Sequence, residues 1–145
     1  MDLDQAFMIS ASGLNAQKER LNLISSNLAN VDSTRTPEGG PYRRKEIVFK
    51  SASPGGSFEQ MLRGETGGSG TGVEVSDVVE DPRPFRQIFN PRHPDADASG
   101  YVLYPNVNPM EEMVNMISAS RSYEANVTAF NATKNMALKA LDLGK

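Results

Sequence analysis

Large apolar residues recur every seven positions at the start of the chain. Phe7, Leu14, Leu21 and Leu28 form one series; Leu3, Ser10, Gln17, Ile24 and Val31 form a second, offset by three or four. Such spacing puts both series on one helix face, as a coiled-coil seam interrupted at Ser10 and Gln17. It predicts one amphipathic helix over residues 1–31, about 45 Å long. A similar stripe, Met113, Met116, Ser120, Tyr123, Val127, Phe130, Ala137 and Leu141, predicts a second helix within residues 107–145. Asn108 suits the cap and Pro109 the first helical position. Glu111 and Glu112 complement the positive end of the helix dipole, Lys139 the negative end, and Gly144 stops the helix. The two stripes match in length. Leu14, Leu21 and Leu28 are expected to pack against Val127, Phe130 and Leu141 as an antiparallel or crossing pair. The wider pairing surface takes in Phe7, Ile24, Val31, Met113, Met116 and Tyr123.

Between the helices the pattern changes. Residues 32–106 hold 8 of the 9 prolines and 10 of the 12 glycines. Short β-like runs punctuate them: EIVF (46–49), VEVSDVV (73–79), FRQIF (85–89) and YVLY (101–104). SPGGS and GETGGSGTG are turn and linker material, and predict a flexible outer loop over residues 54–72. FEQML (58–62) suits one or two helical turns. The expected fold is mainly α with a small β region. Long terminal helices pair as a coiled coil around short hairpins and an extended arm.

Composition narrows the function. The chain has 145 residues, 38% of them hydrophobic and 7% aromatic, with no tryptophan, so its core is modest. A net charge of −3 gives no electrostatic case for nucleic acid or an acidic membrane. The absence of cysteine removes disulfides, thiolate catalysis and thiolate metal sites. The N-terminus, MDLDQAFMIS, has no basic region or apolar run of a Sec signal, and no window approaches a membrane span.

Candidate chemistry is thin. DADASG (95–100) starts like a calcium loop, but its twelfth position is Asn106 where a bidentate Glu is needed, with Pro105 before it. A polar turn is the better reading. His93 is the only histidine and cannot make a two-His site alone. Composition leaves a Ser-His-Asp arrangement open, yet no G-x-S-x-G context is present. GGSGTG lacks the Lys and Ser/Thr of a phosphate loop. RRK (43–45) suits a solvated or intersubunit salt-bridging role. No enzyme activity and no cofactor is expected.

The helix faces off the stripes are unusual. A solvated helix carries Glu, Lys and Arg there. Here they carry Ser12, Gly13, Asn15, Asn22, Ser25, Ser26, Asn27 and Asn30 on the first helix. The second has Asn115, Ser118, Ser122, Asn126, Thr128, Thr133 and Asn135 among alanines. These residues are poor helix formers. Small residues permit close helix approach, and Asn and Ser can hydrogen-bond across a covered contact. Two readings follow: two helices of a small soluble domain, or helices covered on several faces by other subunits. The second assigns Asn27, Asn30, Asn126 and Asn131 to polar contacts between subunits.

SGLNAQKERLNLISSNLANVDSTRT (12–36) resembles the N-terminal signature of bacterial flagellar rod and hook proteins, and EEMVNMISASRSYEANVTAFNATKNMALKALDLGK (111–145) resembles their C-terminal signature. GGPYRRKEIVF and HPDADASGYVLYPNVN are similar to the proximal rod members in particular. TRTPEGGPYRR is longer than the compact Thr-Pro-Gly-Tyr of many relatives, which favours a proximal over a distal rod or hook subunit. The resemblance implies a structural subunit of the proximal rod, the drive shaft crossing the periplasm. It further implies export through the flagellar type III apparatus and assembly with copies of itself and other rod subunits. Neighbours at the rod base would include adaptor and MS-ring proteins. The long polar strip after Asn30 would then be an arm bonding to neighbouring subunits. The alternative is a soluble helical adaptor, or another axial subunit.

Overall fold

The computed structural model describes residues 3–52 and 72–143. The expected loop at 54–72, apart from its last residue, and the FEQML segment lie outside these. Six elements follow in order: α1 (Leu3–Ala29), β1 (Lys45–Ala52), β2 (Gly72–Glu80), β3 (Arg86–Phe89), β4 (Tyr101–Tyr104) and α2 (Pro109–Leu143). Strands β1 and β2 make one two-stranded sheet, β3 and β4 another. The result is mainly helical with a small β region, as the periodicity predicts.

Helix α1 stops two residues short of the apolar pattern. The Asn30 amide donates to Ser26 O at 2.9 Å while its own carbonyl oxygens receive Ser33, through the backbone N at 3.1 Å and the hydroxyl at 3.1 Å. An Asn that bonds its own backbone neighbourhood turns the chain out of the helix. Helix α2 starts as its cap dictates: Met110 N donates to Asn108 Oδ1 at 3.1 Å, with Pro109 in the first turn.

The chain divides into two compact units, each assembled from pieces distant in sequence. The first is built from residues within Met1–Glu19, Phe49–Ser76 and Ala119–Lys145. Phe7 and Phe130 meet edge-to-face in it, ring centres 5.1 Å apart. Gly13 lets Asn126 approach: a Cβ at Gly13 would lie 2.9 Å from Asn126 Nδ2. Ser12 Oγ donates to Ile9 O at 2.7 Å and accepts Val73 N at 3.0 Å, so the first turns of α1 hold the start of β2. The buried side chains described in this unit are small: Ala16, Ala119 and Thr133.

The second unit comprises Arg20–Val48 and Asp77–Ser118. Its apolar core is Ile24, Val102 and Val107. The β3–β4 ladder pairs Arg86 with Tyr104, Gln87 with Leu103, Ile88 with Val102 and Phe89 with Tyr101. Cross-strand partners share a face, so Phe89 and Tyr101 stack edge-to-face at 5.3 Å. The connecting loop is the polar turn expected from DADASG: Asp97 Oδ1 accepts Ser99 N at 2.8 Å and Tyr101 N at 2.9 Å, and Gly100 takes a φ of 83°.

The strip after α1 closes on its own chain. Thr36 N bonds Gly40 O at 2.8 Å and Tyr42 N bonds Ser33 O at 3.0 Å, with Gly39 and Gly40 at φ of 94° and 77°. Thr34 Oγ1 donates to Asp95 Oδ2 at 2.8 Å. Two consecutive left-handed residues are what glycine alone tolerates well, and they fold TRTPEGGPY back on itself.

Candidate functional site

The second unit buries more polar side chains than apolar ones: Asn27, Arg44, Asp81, Asn106 and Glu112, against Ile24, Val102, Pro105 and Val107. They form one network. The Arg44 Nε donates to Glu112 Oε1 at 2.8 Å, and Arg44 Nη1 reaches Asp81 Oδ2 and Glu46 Oε2, each at 3.3 Å. Glu112 Oε2 accepts Asn27 Nδ2 at 3.0 Å. Asn27 also donates to Lys45 O at 2.9 Å, and its Oδ1 accepts Lys45 N at 3.1 Å and the Tyr42 hydroxyl at 3.0 Å. All four hydrogen-bonding positions of that amide are filled. Asn106 is used similarly: Oδ1 accepts Arg44 N at 2.8 Å, and Nδ2 donates to Asp81 O at 3.1 Å and Arg83 O at 3.0 Å.

Asp81 sits between two guanidiniums. Arg83 approaches it by Nε at 2.8 Å and Nη2 at 2.7 Å, and also bonds Glu111 at 3.2 Å. The hydrogen bond from Arg83, against the opposing effect of burial, holds the Asp81 carboxyl down at about 2. Its carboxylate and Glu112 in turn raise the affinity of Arg83 and Arg44 for their protons. Arg43 lies over the Phe85 ring at 4.3 Å and donates to Asp81 O at 2.9 Å. The RRK triplet therefore faces the interior of its own chain at Arg44 and a neighbouring ring at Arg43.

These groups are paired for structure, without an unengaged nucleophile or base among them. Among the described residues no cluster of His, Cys, Asp or Glu could hold a metal. His93 accepts Asp95 N at 3.1 Å, which makes it part of a turn. An open groove of about 480 Å³ between the arm and the β3–β4 hairpin is lined by Asp95 and Asp97, whose oxygens already take Thr34 and the Ser99 and Tyr101 amides.

The polar residues assigned to subunit contacts fall in different places. Asn27 is corrected: it is 1% exposed and saturated within its own chain. Asn30 shapes the end of α1. Asn126 packs half-buried on Gly13, and Asn131 is exposed. Of the pairing residues, Ile24 is buried, and Phe7, Leu14, Leu21, Leu28, Val31, Met116, Val127 and Phe130 are half-buried. Met113, Tyr123 and Leu141 are exposed, at 50%, 37% and 69%. They join Met110, Val114, Ile117, Met136 and Leu138, which are exposed too. Met110, Met113, Val114 and Ile117 follow i, i+3, i+4, i+7 spacing, one stripe of a helix. The stripe was legible as Met113 alone; the others fell between the positions of the expected seam. Of the network, Arg44 and Glu112 were visible only as a basic triplet and a dipole complement.

Comparison with known proteins defines the class first. The C-terminal segment, residues 98–143, matches the family "Flagellar basal body rod FlgEFG protein C-terminal", and residues 7–35 match "Flagella basal body rod protein". The first takes in β4 and α2, the second most of α1 and the start of the arm. The chain is 50% identical to the flagellar basal-body rod protein FlgC of Bacillus subtilis, over 94% of this chain and 95% of the relative. It is 49% identical to that of Yersinia enterocolitica over all of both chains, and 43% identical to that of Borreliella burgdorferi over 97% of each. The chain belongs to the FlgC family of flagellar basal-body rod proteins.

Proposed function

We propose that the chain does its work by presenting helix surfaces that are completed only by neighbouring subunits. It is a structural subunit of the flagellar proximal rod, not an enzyme, and assembles with other rod components of the basal body. In this reading α1 and α2 contribute to an inner coiled-coil layer, and Asn30, Asn126 and Asn131 bond across subunits. The neighbours include further copies of the chain and the adaptor and MS-ring proteins at the rod base. The subunit reaches the periplasm through the flagellar type III export apparatus.

The observation that carries the reading is the α2 stripe. A free soluble helix has no use for Met110, Met113, Val114 and Ile117 in water, whereas a packed shaft does. The test replaces Met113 and Ile117 by Lys. Exposed substitutions of this kind change monomer stability by less than about 0.5 kcal/mol. Swimming in soft agar should be abolished while the protein is made and secreted at parental levels. Normal motility of the double variant would mean that this stripe contacts no other subunit.

A further inference from the structure

Every backbone polar group of the Arg44–Lys45 dipeptide is engaged, three of the four by asparagine side chains. Arg44 N bonds Asn106 Oδ1 at 2.8 Å, and Arg44 O receives Asp81 N at 2.8 Å. Lys45 N and O are both taken by the Asn27 amide, at 3.1 and 2.9 Å. The Arg44 side chain then ends on Glu112 in the first turn of α2. The end of α1, the end of β2, the turn before α2 and α2 itself all grip one dipeptide, mostly through directional polar bonds. We infer that this buried network is a register lock, fixing which residues of the arm enter between α1 and α2, rather than a source of net stability.

The physical argument is a contrast. Apolar packing at such a site rewards burial of any residue of suitable size, and a chain entering it can slip by a position at modest loss. A strand slipped by one residue turns every side chain to the opposite face. Here a one-residue slip would take the Lys45 backbone and the Tyr42 hydroxyl from Asn27, the Arg44 N–H from Asn106, and the guanidinium from Glu112, whose carboxylate would stay buried without its counter-charge. Replacing a buried ion pair by apolar residues of equal volume is often neutral or stabilising, and in some systems a buried polar group fixes a register that apolar residues leave open. The lock sets the direction in which residues 34–41 leave α1, and so which surface that arm offers.

The chain has no cysteine, so two introduced ones carry unique spin labels. Ser25, on α1, and Glu38, at the tip of the arm, are both exposed and belong to the same unit. Pulsed electron resonance on the full chain labelled at S25C and E38C should give one narrow distance peak. In the added pair Arg44→Met with Glu112→Leu, the peak should broaden by about twofold or split, while the urea midpoint stays at or above the parent's. Either single replacement should lower the midpoint. Arg44→Lys, which keeps the charge but loses the guanidinium fork, should broaden the peak as well. An unchanged narrow peak in the double variant or in Arg44→Lys would overturn the lock. So would a double variant whose midpoint falls as far as the singles', which would make the network a plain stabiliser. A parent chain with a broad peak would show that no lock operates in the chain by itself.

Discussion

Arg44 Nε donates to Glu112 Oε1 over 2.8 Å, and the accepting carboxylate is 0% exposed while the guanidinium side chain is 7% exposed. Two opposite charges have been taken out of water together. Each is tolerated only because the other is there, and because Asn27 and Asp81 fill the remaining positions. Removing one partner strands the other.

Glu112→Gln should therefore destabilise the chain by about 3–5 kcal/mol, the usual result of breaking one side of a buried pair. Asn27→Ala should cost about 1–3 kcal/mol for each buried group it leaves unpaired, chiefly the Glu112 oxygen and the Lys45 backbone. Urea denaturation followed by circular dichroism measures both. Values near zero for either would show that water reaches these groups in the folded chain.

Acid should act through Asp81. Its carboxyl is held at about 2, below the ordinary 3.8, first by the Arg83 hydrogen bond. A depressed acid stabilises the fold at every pH above its ordinary value and loses that contribution as the pH falls towards the depressed one. Denaturant stability of the parent chain should thus decline between about pH 4 and 2. Asp81→Asn should be less stable at neutral pH and show a shallower decline over that range. An identical slope in parent and variant would assign the acid limb to other carboxylates.

Gly13 and Gly72 both sit under close neighbours, with different consequences. An added Cβ at Gly13 meets the tip of Asn126, which can rotate away. Gly13→Ala should gain helix propensity of about 1 kcal/mol and return part of it in repositioning Asn126, so its melting curve should shift little. At Gly72 the Cβ would lie 2.6 Å from Ser12 Oγ, the acceptor of Val73 N. Gly72→Ala should cost about 1–3 kcal/mol by crowding that bond. A thermal melt of the two variants should rank them in that order, and a reversed rank would place the strain in the helix instead.

Much of this architecture could be read from residue order. Asn108, Pro109 and the paired glutamates announced α2 to the residue, because capping is a local matter. The four strand runs were visible in their β-branched and aromatic content. The network was not. Its hydrogen bonds join Asn27 to Lys45, Arg44 to Asn106 and Arg44 to Glu112 across 18, 62 and 68 residues of sequence. Nothing in the spacing of these residues tells a buried amide from one offered to a neighbour. Missing charge on α1 suggests subunit contacts from the sequence, but at Asn27 the cause is an internal one. The signal that could have separated them is the Arg-Arg beside Tyr42: a basic pair in an otherwise acidic chain wants an acidic partner, and Glu112 was the candidate placed at a helix start.

Two of the four residues in the exposed α2 stripe, Met110 and Met113, are methionines. Thioethers adapt their shape to an irregular partner, and they are also the side chains that peroxide converts most readily into polar sulfoxides. A free subunit therefore carries its proposed contact surface in a form an oxidant can rewrite. One added oxygen puts a strong acceptor into a stripe whose attraction lies in having none. Covered by a neighbour, the same sulfurs are shielded, so an assembled shaft would outlast the pool of subunits from which it was built.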